Sequence, residues 1–239
     1  MSKPVIGVTS AWSYETWGDC AEDRGYYYVG KPYIEAISRV GGLPMILAPS
    51  SDSKYIEGIA HILDGILFSG GGNARRFSPE ELPSLKEQQE FRYGFEEKLL
   101  KRAYDLKIPI LGICRGYQMI VEVFGGKLSK EIISGHKQTE PGYKSYHMIS
   151  IERNSKLHKI IGQMEWNVNS IHIQEAVDIP EGFIVSARAE DDVIEGIESM
   201  DYPFLMGLQF HPEMLYKDEK AGLIFDTFVY EANKYRQRN

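Results

Sequence analysis

The strongest constraint on the fold is a rhythm in the first half of the chain, where short unbroken apolar runs alternate with amphipathic stretches. The runs cover residues 5–9, 43–47, 64–68 and 110–113, and helix-like segments lie between them at 32–40, 54–63 and 88–106. A strand exposed on one face alternates apolar and polar residues, whereas one covered on both faces stays apolar throughout. The runs therefore predict parallel strands joined by crossover helices, an α/β sheet with helices on both faces. In the longest amphipathic segment Phe91, Phe95, Leu99, Ala103 and Leu106 recur three or four apart and mark one buried face. Pro109 stops that helix.

The second half reads richer in strand, at 147–152, 165–170, 183–189, 193–197 and 204–210, with Asp191-Asp192 as a hairpin turn. A closing helix over about 218–235 should bury Leu223, Phe225, Phe228, Val229 and Ala232. The expectation is one α/β domain over residues 1–239 whose later part adds antiparallel strands. Net charge is −7 over 239 residues, with the basic residues scattered. That argues against a nucleic-acid partner, which calls for a basic face. No apolar stretch is long enough to span a membrane. The opening Met1-Ser-Lys-Pro-Val-Ile-Gly-Val-Thr9 lacks a signal-peptide pattern, and two cysteines make no disulfide framework, so a cytoplasmic protein is expected. With no CxxC and no HExxH, no metal site is expected.

Chemistry concentrates at Gly112-Ile-Cys-Arg-Gly116. The pattern G-x-nucleophile-x-G at a strand-to-helix junction puts the central side chain on a sharp, exposed turn. A thiol at a helix N-terminus feels the positive end of the peptide dipoles, and the Arg115 N–H faces the same space as an oxyanion donor. Locally, Cys114 fits equally well as a small buried hydrophobe. A nucleophile needs a base. Of six histidines, His61 and His158 fit surface or packing roles, while His211 ends an apolar run and precedes Pro212 and Glu213. Residues two apart on an extended chain face one way, so Glu213 can orient the His211 ring while the other nitrogen reaches a thiol. Cys, His and Glu together support acyl transfer through a thioester.

Two motifs, Gly112-Ile-Cys-Arg-Gly-Tyr-Gln118 and Gln209-Phe-His-Pro-Glu213, are specific in combination. Weaker matches are Pro4-Val-Ile-Gly7, Gly41-Gly-Leu-Pro44, Asp64-Gly-Ile-Leu67 with its glycine loop, and Asn169-Ser-Ile-His-Ile-Gln174. On these the chain resembles class I glutamine amidotransferases, and within them the stand-alone gamma-glutamyl-gamma-aminobutyrate hydrolase-like peptidases. The resemblance implies a flavodoxin-like three-layer α/β/α fold with a mainly parallel central sheet. It implies Cys114 as nucleophile, His211 as base, Glu213 as its orienting partner, and backbone N–H groups of Gly71 and Arg115 as the oxyanion hole. Gln118, Ser170 and His172 become candidate contacts for the glutamyl end, and a structural role fits His172 equally well. No cofactor is implied.

Two departures from the family pattern bear on the substrate. The glycine loop continues Gly71-Gly-Asn-Ala-Arg-Arg76 where relatives often carry an acidic residue and a proline. Tyr93 stands where the pattern Arg-Asp-x-x-Glu has aspartate, so that Arg92 and Glu96 read as an exposed i, i+4 ion pair. The aromatic segments at residues 12–17 and 26–28 are candidates for pocket lining. Three functions follow. The first is hydrolysis of a γ-glutamyl amide such as γ-glutamyl-GABA, with a small-molecule substrate and neither nucleic-acid nor membrane partner. The second is a glutaminase subunit supplying ammonia to a separate synthase, and the third a non-catalytic γ-glutamyl binding or regulatory protein. A homo-oligomer is compatible with each.

Overall fold

The computed structural model describes residues 3–13, 25–71 and 82–238. Cys20, Trp17 and loop residues 73–76 lie outside them.

In chain order the elements are β1 (Val5–Thr9), β2 (Ala11–Ser13), β3 (Tyr26–Tyr28), α1 (Lys31–Arg39), β4 (Leu43–Leu47), α2 (Ser53–Ile62) and β5 (Gly65–Phe68). Next come α3 (Leu85–Gln88), α4 (Glu90–Leu106), β6 (Ile110–Ile113), α5 (Arg115–Val123) and β7 (Lys127–Leu128). The remainder is β8 (His147–Ile151), α6 (Lys156–Ile161), β9 (Glu165–Val168), β10 (Ala176–Asp178), β11 (Phe183–Ala189), β12 (Ile194–Ser199), β13 (Leu205–Leu208) and α7 (Glu219–Arg238).

The central sheet runs β4-β1-β5-β6-β13-β12-β11-β8-β9. Its first five strands pair in parallel and the last four extend it antiparallel. Helices cover both faces, giving the expected flavodoxin-like three-layer arrangement. Neighbouring residues on one strand feed opposite cores. Leu67 and Leu111 join Ile37 and Phe228 on one face, while Ile66, Phe68 and Ile110 join Phe95 and Leu99 on the other. That is why these strands read as continuous apolar runs.

The structure corrects the expected helix faces. A capping box between Ser84 and Glu87 starts α3, and the backbone turns out of helix at Gln89 before α4 begins. Phe91 is 42% exposed, and the buried face of α4 instead includes Arg92, Glu96 and Leu100 beside Phe95, Leu99 and Ala103. The helix stops at Lys107, whose left-handed φ of 61° caps it before Pro109 is reached. On α7, Leu223 is exposed and Ile224 takes the core position. Periodicity located these faces to within one residue, which is a rotation of about 100° on a helix.

Helix α5 leaves β6 directly and lies tight against β5. A Cβ at Gly116 would sit 1.9 Å from the Phe68 carbonyl oxygen, a backbone atom that cannot swing aside. Gly116→Ala should cost about 3 kcal/mol or more, the upper end for overpacking. Urea unfolding measures this, and a loss below about 1 kcal/mol would mean that the α5–β5 contact is not tight.

Candidate active site

Strands β6 and β13 are parallel neighbours in register, Gly112 beside Gly207 and Ile113 beside Leu208. Cys114 follows β6, His211 follows β13, and the Cys114 N–H donates to the Leu208 carbonyl at 2.7 Å. Cys114 has φ 53° and ψ −106° at the N-cap of α5. For a residue with a Cβ this costs about 1–3 kcal/mol, tolerated where the surroundings fix it. The turn is the elbow that the glycine-flanked motif predicts.

His211 and Glu213 come together by a different route from the one expected. Residues Pro212–Met214 form a 3-10 turn, not extended chain. Its tight winding carries the Glu213 carboxylate back to His211, where Nδ1 donates to Oε1 at 2.6 Å. That commits Nδ1 and leaves Nε2 for the thiol. Burial opposes a charge on His211, but Glu213 and then Cys114 outweigh it and hold the imidazolium well above the ordinary histidine range.

Two further residues position this pair, and sequence reading assigned neither a role. The Asn169 side chain receives the His211 N–H at 2.8 Å and donates to the His211 carbonyl at 2.9 Å, clamping the backbone on both sides. The Tyr33 hydroxyl lies 3.5 Å from His211 Nδ1 and accepts the Gly70 N–H at 3.0 Å. Burial and the neighbouring Glu213 keep Tyr33 protonated far above its usual value.

The Arg92–Glu96 pair, expected to be exposed, is wholly buried. Glu96 Oε1 accepts from Arg92 Nε at 2.8 Å and from the Thr9 hydroxyl at 2.7 Å, and Oε2 accepts from Arg115. The rest of the Arg92 guanidinium reaches the glycine loop after β5, donating to the carbonyls of Ser69 at 2.9 Å and Gly71 at 3.0 Å, with Gly70 at 3.4 Å. In a trans peptide the N–H points opposite to the preceding carbonyl. With the Gly70 carbonyl drawn to Arg92, the Gly71 N–H turns the other way, and φ of 84° at Gly71 suits glycine. Helix spacing alone could not show this burial, because the second arginine arrives from β6–α5, 19 residues on.

These groups face a cleft of about 310 Å³, lined by Tyr28, Gly71, Cys114, Arg115, Lys137, His172 and His211 among others. Gln118 also lines it, its amide donating to the Gln174 carbonyl and to Gln209 Oε1, both at 3.1 Å. His172 sits in the wall with its ring between the Gln174 carbonyl and Glu195, each 3.2 Å away. Ser170 is not brought to the cleft. Its side chain is fully buried and its hydroxyl donates to the His136 carbonyl at 3.0 Å. Strand alternation explains the difference, since Ser170 and Ile171 point oppositely and Ile171 takes the cleft side. Of the aromatic segments, Tyr28 contributes to the wall.

Residues 4–213 match the profile of the Peptidase C26 family. The chain belongs to that family. Its relatives include a Rickettsia prowazekii protein named for its likeness to glutamine amidotransferases, 30% identical over 98% of this chain and 99% of that one. Gamma-glutamyl-gamma-aminobutyrate hydrolase PuuD of Escherichia coli is 27% identical over 96% of this chain and 93% of its own length. Among solved structures, a Thermoplasma acidophilum protein designated a GMP synthase subunit superposes with a TM-score of 0.68 at 21% identity, covering 100% and 98% of the two chains. The motif resemblance and the glutamine amidotransferase fold hold, and the Peptidase C26 chain is a hydrolase-type member of this group. Among the described residues no helix is long and apolar enough to cross a membrane.

Proposed function

We propose that this Peptidase C26 chain hydrolyses the amide bond of a γ-glutamyl compound through a glutamyl thioester at Cys114. The convergence of Cys114, His211 and Glu213 at the ends of two adjacent parallel strands carries the reading. Cys114 Sγ attacks the γ-carbonyl carbon, and the N–H groups of Arg115 and Gly71 receive the developing oxyanion. His211 passes its proton to the leaving amine as the C–N bond breaks. Water then attacks the thioester, His211 takes its proton, and the C–S bond breaks to return the thiol and free glutamate.

The cleft's charge supports an anionic substrate. Lys137 lines it, and its described residues include no aspartate or glutamate. Lys137, exposed on the rim, favours a leaving amine that itself carries a carboxylate, such as GABA, over a polyamine. Purified protein given γ-glutamyl-GABA, γ-glutamyl peptides, folate polyglutamate and glutamine should release amine fastest from the first. Silence towards all four would sink the reading. Glutamine turnover appearing only with a co-purifying partner would favour an ammonia-supplying role instead.

A pH profile tests the role of Glu213. Because His211 is held protonated above its ordinary range, the alkaline limb of kcat/KM should lie above neutrality. Glu213→Gln removes the largest raising influence, so the limb moves down and turnover falls about 100-fold or more. An unmoved alkaline limb would show that another group sets it.

A further inference from the structure

Behind the cleft wall at His172, four side chains from distant stretches converge: His136, His147, His172 and Glu195. Glu195 Oε1 lies 3.2 Å from His136 Nδ1, 3.2 Å from His172 Nε2 and 3.6 Å from His147 Nε2. The Glu195 side chain is fully buried, and the three rings are between 1% and 14% exposed. Among the described residues no lysine or arginine forms an ion pair with Glu195.

The outer ring nitrogens fix the protons. His136 Nε2 lies 3.0 Å from an Asp191 carboxylate oxygen, and His172 Nδ1 lies 3.2 Å from the Gln174 carbonyl. Both partners only accept, so each outer nitrogen carries an N–H and the inner nitrogens face Glu195, with the Ser170 hydroxyl also 3.1 Å from His136 Nδ1. A fully buried carboxylate ringed by imidazoles requires compensating positive charge beside it. Protons fill the need poorly. Charging both rings sets two imidazoliums 4.8 Å apart between centroids, and still leaves Glu195 Oε2 and His147 Nε2 buried without partners.

We propose that His136, His147 and Glu195 bind a divalent cation of the zinc class, with His172 as a further ligand shared with the cleft wall. Ligand atoms of the first three all lie within 4.8 Å of one another. Around zinc, bonds of roughly 2.0–2.1 Å in tetrahedral array put neighbouring ligand atoms about 3.3 Å apart, the spacing found around Glu195 Oε1. Imidazole nitrogens with one carboxylate suit zinc, and Asp191 on the far side of His136 is the outer partner that metal-bound histidines usually have. The ion orients His172 where it meets the substrate, and no step of amide hydrolysis runs through it. The site needs no assumption about the thioester chemistry.

The test uses the whole protein, stripped with EDTA, exchanged into chelator-free buffer and titrated with ZnCl₂ or CoCl₂. One zinc per chain should survive gel filtration and raise Tm. Cobalt should give the visible bands of a tetrahedral nitrogen/oxygen site, without the thiolate charge-transfer band that binding at Cys114 would produce. His147→Ala and Glu195→Gln should each weaken zinc binding by at least about 100-fold. Should either variant misfold, the wild-type stoichiometry and cobalt spectrum decide alone. Folded wild-type protein that retains no zinc overturns the proposal. So does a thiolate-type cobalt spectrum, or zinc held equally well by a folded His147→Ala protein.

Discussion

Cys114→Ala should lower the proposed amide hydrolysis by at least about ten-thousand-fold while leaving the protein folded. Catalytic groups that act as a unit are grossly non-additive, so His211→Ala costs nearly as much, and the double variant is scarcely worse than either. The structural cost is small, because the change removes one sulfur atom from a position 9% exposed. Alanine still has to hold the left-handed elbow conformation, so any change in Tm reports only that local geometry. Single-turnover assays against circular dichroism separate the two effects. A Cys114→Ala protein retaining a tenth of wild-type turnover would move the nucleophile elsewhere.

Glu96→Gln is the second large effect, and it acts mainly on stability. Glu96 balances two arginines in a site with no access to water, so neutralising it leaves both guanidiniums under-compensated. Breaking such a buried arrangement from one side costs about 3–5 kcal/mol. Its pH dependence has a definite sign. Burial pushes the Glu96 carboxyl up, but Arg115 and Arg92 more than offset this and hold it below the ordinary value of 4.5. A carboxylate with a depressed folded pKa stabilises the protein fully above its unfolded pKa, and that stability disappears as pH falls through the folded value. Wild-type protein should therefore lose stability on acidification in a step that Glu96→Gln lacks. Because Arg92 also holds the carbonyls of Ser69, Gly70 and Gly71, the folded variant should turn over about tenfold to 100-fold more slowly, short of losing an oxyanion donor outright. Urea titrations at several pH values test the first effect. Identical acid limbs for variant and wild type would remove Glu96 from the account.

Much of this was legible in the sequence where one local rule decided the outcome. Continuous apolar runs gave the parallel strands because both faces of the sheet are covered. The glycine-flanked cysteine gave the elbow because few backbones accommodate that pattern. Legibility ended where distant segments meet. Arg92 and Glu96 looked like a surface pair because nothing at i, i+4 reveals an arginine arriving from the next strand. His211 and Glu213 were joined on the assumption of extended chain, whereas proline at the first position begins a 3-10 turn. The cluster at Glu195 has no spacing signature, since residue 136 and residue 195 meet only after β8, β11 and β12 have paired.

The pairing of β6 with β13 also orders events in time. The thiol at residue 114 is synthesised nearly a hundred residues before the base at 211, and the strand that brings the base is the last one added to the sheet. A growing or partly folded chain therefore carries the cysteine without its partner, and Cys114 and His211 come together only when β13 pairs with β6. Under the proposed mechanism, the pairing of these two strands is also what gives the thiol its base.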